Sequence, residues 1–148
     1  MYDQPRANPA QTAMTFDQML ERVRYEGAYS TRERAEEAVR TVLAALGRQL
    51  TGDERVDLAQ ALPVEAALTL TAQIPDTEHL TGWGFVKDLA ARTGATPAVA
   101  RWDTGAVFAV VARLAGPGLL ARILHQLPGG YALLFGQAEL RRPEPAAA

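Results

Sequence analysis

The chain has 148 residues, enough for one compact domain with its own core. Its 48% hydrophobic and 22% charged residues suit a soluble globular protein, and a formal net charge of −2 supplies no basic field for nucleic acid. There is no cysteine, which excludes disulfides, thiolate nucleophiles and sulfur-ligated metal centres and fits a reducing cytoplasm.

Residues 1–13, rich in Pro, Gln and Asn, read as a disordered leader with neither the basic start nor the apolar run of a secretory signal. Phe16, Met19, Leu20 and Val23 then recur at helical spacing, with Gly27 as a stop. Ser30, with Glu33 three residues on, predicts a capping box that opens a second helix. Its apolar side carries Ala35, Ala38, Val39, Val42, Leu43 and Leu46. Thr51 and Glu54 predict another box, opening a short helix with Val56, Leu58 and Ala59 inward. Pro63 suits the first turn of a fourth helix through Ala66, Ala67 and Leu70. Pro75 marks the joint between Gln73 and His79.

The second half repeats this plan. Leu127-Pro128 stands 65 residues after Leu62-Pro63, and Val107, Phe108 and Val111 stand 65 after Val42, Leu43 and Leu46. Phe85, Val86 and Leu89 match the first stripe, Thr96-Pro97 replaces the serine cap, and Gly116-Pro117 replaces Thr51-Gly52. Tyr131, Leu134 and Phe135 give the last helix its apolar side. The prediction is an all-α domain over 14–138, a bundle of about eight helices in two tandem four-helix repeats (14–73 and 79–136), with a flexible tail over 139–148. The longest apolar run, Ala106 to Ala112, is far short of the ~20 residues a membrane helix needs, so no membrane association is expected. Lys87 is the only lysine among many arginines and alanines, the codon bias of a GC-rich bacterial genome.

The elements Met19-Leu20-x-x-Val23, Ser30-x-x-Glu33, Ala38-Val39-x-x-Val42-Leu43-x-x-Leu46, Thr51-Gly52-Asp53-Glu54, Asp57-Leu58 and Gln60-x-Leu62-Pro63 carry a resemblance. Over about residues 14–136 the chain resembles the bacterial family known as domain of unknown function 2267. That likeness implies a duplicated helical unit, each copy ending in Leu-Pro, and implies no activity. Where the family commonly has an acidic loop, this chain has Gly116-Pro117-Gly118-Leu119.

No residue cluster dictates a chemistry. His79 and His125 have no second ligand at i+3 or i+4, so neither a metal nor a general base is expected. Glu33, Glu36, Glu37, Asp53, Glu54 and Asp57 read as caps and solvated helix surface. Gly82-Trp83-Gly84 and Gly129-Gly130 lack the strand and the Lys-Ser/Thr of a phosphate cradle. Residues 1–73 hold 8 arginines against 11 acids and residues 74–148 hold 7 basic against 6 acidic groups, so neither half is a nucleic-acid platform. No cofactor is expected.

Comparing the copies isolates one unusual surface. Outside the core stripe, Arg34, Glu37 and Thr41 become Val99, Trp102 and Ala106 at the 65-residue offset. These lie at i, i+3 and i+7 and make a second apolar stripe on one helix. Three uses are open: packing between the halves, contact with a second subunit or protein partner, or lining a small apolar pocket. The expected function is a non-enzymatic interaction or scaffold module, possibly self-associating, with Val99, Trp102 and Ala106 as interface residues. The alternative is a protein binding a small apolar ligand between the halves.

Overall fold

The computed structural model describes residues 14–137, so the expected leader over 1–13 and the tail over 139–148 lie outside the described residues. Seven helices and no strand occur among those residues. They are α1 (Phe16–Glu26), α2 (Arg32–Gly47), α3 (Gly52–Ala61), α4 (Val64–Thr71), α5 (Gly82–Thr93), α6 (Pro97–Gln126) and α7 (Tyr131–Leu134).

Local chemistry sets most of the boundaries. Thr15 and Gln18 form a full capping box at α1, and the Thr81 and Thr96 hydroxyls accept from Gly84 N and Val99 N at the starts of α5 and α6. At α2 the cap is Thr31, whose hydroxyl accepts from Arg34 N at 3.1 Å, and not Ser30. That one-residue shift puts Arg34 at the third helical position and leaves Glu33 exposed, so the expected box does not form. Thr51 does start α3, but its side chain makes no cap bond. Gln126 engages both groups of the box instead: its Oε1 accepts from Thr51 N at 2.8 Å, the N–H a boxed Glu54 would have covered, and from the Thr51 hydroxyl at 3.5 Å. Pro63 sits just before α4 and not within its first turn.

The expected count of eight becomes seven because α6 runs for 30 residues through a break at Gly116, with φ 80° and ψ 162°. Those angles are open to glycine almost alone, and Pro117 restarts the helix without an intervening loop. By length and composition alone α6 is apolar enough for a membrane span, as a core helix also is, but a stretch free of Arg101 runs through the break at Gly116.

The core is continuous across both halves. Leu20, Val39, Leu43 and Leu46 from the first half and Val107, Phe108, Val111 and Ile123 from the second have no exposed surface. Phe108 stacks on Phe135 with ring centroids 4.0 Å apart, and Phe85 meets Phe108 and Tyr131 at 5.6 Å. Val56, expected inward, is 53% exposed; Leu58 is the buried residue of α3. The joint is held by polar bonds. Gln49, itself buried, donates to Glu78 O and accepts from Leu80 N, while Arg55 donates to the carbonyl oxygens of Gly47, Leu50 and Gln73. Those carbonyls end α2 or follow α4, where a helix leaves acceptors unmatched.

Candidate functional site

The second stripe on α6 does not behave as one surface. Val99 and Trp102 are 41% and 57% exposed, whereas Ala106 is buried at 6%. The stripe therefore does not form the centre of the domain. That centre belongs to Ala100, Thr104, Val107 and Val111 on the neighbouring face. The reason is geometric: residues 99, 102 and 106 flank the inward arc, and the large indole at 102 reaches over its edge.

Trp102 is nonetheless fixed. Its indole N–H donates to Gly27 O at 2.8 Å, at the end of α1. One edge of the ring is held by the backbone while much of its surface stays open. Beside it lies Asp103, a residue absent from the expected site and 8% exposed. Asp103 accepts from the Tyr29 hydroxyl at 2.6 Å and from Arg34 at 2.8 and 3.1 Å. The Arg34 guanidinium also lies over the Tyr29 ring, 5.1 Å from its centroid. Burial first, then the bond to Asp103, holds the Tyr29 hydroxyl protonated beyond the ordinary phenol range. The same carboxylate bond raises Arg34 further above its usual value.

These bonds grip the α1–α2 loop. Gly27 suits this turn, because a Cβ would clash with the edge of the Tyr29 ring, 2.2 Å from its Cε2. Ala28 adopts a positive φ of 53°, a conformation unusual for a residue with a side chain. Two anchors on adjacent α6 residues hold this turn, one on each side of Ala28. A third tie, Arg113 to Glu26 at 2.8 Å, fastens the end of α1 farther along α6.

Between these ties runs an open groove of about 450 Å³, lined by Glu26, Ala98, Arg101, Trp102, Gly105 and Ala106. Only Trp102 and Ala106 of the three predicted residues line it; Val99 lies beside it, outside the lining. Glu26 and Arg101 were missed because each reads as solvated helix surface. Asp103 could have been found: it stands three residues after Ala100 and four before Val107, an acid on an otherwise apolar helical stripe.

The other candidates resolve differently. His79 and His125 are exposed and far apart in the chain, and no trio of His, Asp or Glu among the described residues is placed to hold a metal ion. Glu54 and Asp57 accept from Arg122 at 3.2 and 2.8 Å, and Glu54 also accepts from Gln126. They tie α3 to the last part of α6.

Fold and site together define an all-helical protein with one fixed, outward-facing tryptophan beside a small-residue groove. The chain belongs to the family described as "Uncharacterized conserved protein (DUF2267)", whose model matches residues 16–134. No curated protein matches the chain.

Proposed function

We propose that this chain is a non-enzymatic docking module that presents the Trp102 face of α6 to another protein. The observation that carries this is the state of Trp102 itself, 57% exposed yet anchored through its N–H to Gly27 O. An aromatic ring held rigid before contact loses little entropy on binding, and such residues dominate interface energetics. Ala98, Gly105 and Ala106 beside it leave room for an approaching side chain.

We further propose that the module is a duplicated helical unit. The starts of α1 and α5 are capped by Thr15 and Thr81, those of α2 and α6 by Thr31 and Thr96, and Pro63 and Pro128 lie 65 apart. Arg122 bonds to Asp57, its own counterpart at that offset, as expected of residues near a two-fold axis relating the copies.

A photo-crosslinking residue at Val99, in the full chain expressed in its source cells, tests the docking role. The expected result is a discrete protein adduct that disappears in the Trp102→Ala background. No adduct beyond that formed by the same probe at exposed Asp53, or one indifferent to Trp102, overturns the proposal.

A further inference from the structure

The groove contains a charge arrangement that the described residues do not satisfy among themselves. Glu26 and Arg101 both line it. Glu26 gives one carboxylate oxygen, Oε2, to Arg113, and its Oε1 takes no bond from the described residues. Arg101 has no carboxylate within 4.0 Å among the described residues, and its Nη1 lies 2.9 Å from where a Cβ on Gly105 would stand. One patch thus carries a cation and a carboxylate oxygen that no described residue matches, and a fixed aromatic ring between small residues.

A patch bearing both members of an ion pair around an apolar centre is self-complementary. That is the requirement of a two-fold contact, in which residue i meets j and j meets i. We propose that the partner at this groove is a second copy of the same chain, with each Arg101 reaching the other copy's Glu26 across paired Trp102 rings. The inference rests on the docking role of Trp102 and commits it to one occupant. A different protein would need no reciprocity, whereas the patch already holds both halves of the match. Ala98 and Gly105 beside each ring leave room for the partner copy's indole, and the contact seats the Arg101 pairs at the polar rim. Rim charges set specificity and encounter more than affinity, and they are sensitive to reversal.

Charge reversal in trans is the test. Light scattering of the purified full chain over a dilution series is expected to give a two-chain mass at micromolar concentrations. Arg101→Glu is expected to weaken that association by about tenfold or more. In the companion variant, Glu26→Arg is combined with Arg113→Glu, so the pair within the chain survives with its polarity reversed. Circular dichroism checks that both variants fold. Mixing them is expected to restore a two-chain species holding one copy of each, identified by native mass spectrometry, since both cross-pairs are then opposite in sign. A one-chain mass for the wild type at about 100 µM, an association indifferent to Arg101→Glu, or no mixed species overturns the proposal. Should the wild type stay at one-chain mass while the Val99 probe captures another protein, the second copy is wrong and the docking role stands. Should neither appear, both fall.

Discussion

Two tyrosines show how burial at single positions reaches a measurable property. Tyr131 is 1% exposed and donates its hydroxyl to Leu80 O at 3.0 Å; burial raises its pKa beyond the ordinary range, as it does for Tyr29. In the unfolded chain both phenols ionise at about pH 10. The folded state holds these protons more tightly, so this contribution is fully present below that pH and is lost as pH rises toward the folded values. Urea unfolding between about pH 9 and 11.5 is expected to show stability falling by at most ~1.4 kcal/mol per pH unit for each tyrosine. Tyr131→Phe keeps the ring packing and should remove one tyrosine's share of the slope; an unchanged slope contradicts the assignment. Asp103 makes a different point. Its ties to Tyr29 and Arg34 are shielded, unlike the exposed Arg32–Asp17 and Arg40–Glu36 pairs, each worth ~0.5 kcal/mol or less.

At the scale of elements, glycines mark where helices touch and where they stand free. A Cβ on Gly82 would lie 2.6 Å from the Gly130 carbonyl carbon, because the start of α5 is bonded to the turn before α7 through Gly82 N and Gly129 O at 2.9 Å. A Cβ on Gly105 would meet only the movable end of Arg101. The same substitution should therefore have opposite signs. Gly82→Ala is expected to cost about 2–3 kcal/mol by overpacking, and Gly105→Ala to gain up to ~1 kcal/mol from helix propensity. Thermal or denaturant unfolding of the pair checks this, and a stabilised Gly82→Ala would contradict the packing. Much at this scale was legible beforehand. The inward residues of α1 and α2, the Thr96-Pro97 start and the turn around Pro75 all follow from apolar periodicity and backbone chemistry. The caps at Ser30 and Thr51 were not, because a backbone N–H has several suitors. Thr31 outcompetes its neighbour, and Gln126 reaches Thr51 from 75 residues away. The absence of a loop at Gly116 was equally hidden, since glycine and proline together read as a turn whether or not the helix resumes at once.

At the scale of the molecule, the halves are joined by a shared core and by ties from α6 back to the first half at Gly27, Tyr29, Arg34 and Glu26, and farther on at Thr51, Glu54 and Asp57. The exchange of polar for apolar residues between the copies marks α6 in the sequence, while the side of the helix it serves is set by tertiary packing. Val99 and Ala106 lie seven residues apart on nearly the same line of the helix, and only what packs against each turn settles which is covered. The central claim is that Trp102 is a docking residue and not part of the core. Equilibrium unfolding of Trp102→Ala tests it most directly. A buried tryptophan would lose ~3–5 kcal/mol on truncation to alanine. An edge-anchored, half-exposed one should lose only about 1–2 kcal/mol, from one hydrogen bond and partial burial. A loss within the smaller range, with helicity unchanged, is the result predicted; a loss in the larger range would contradict it.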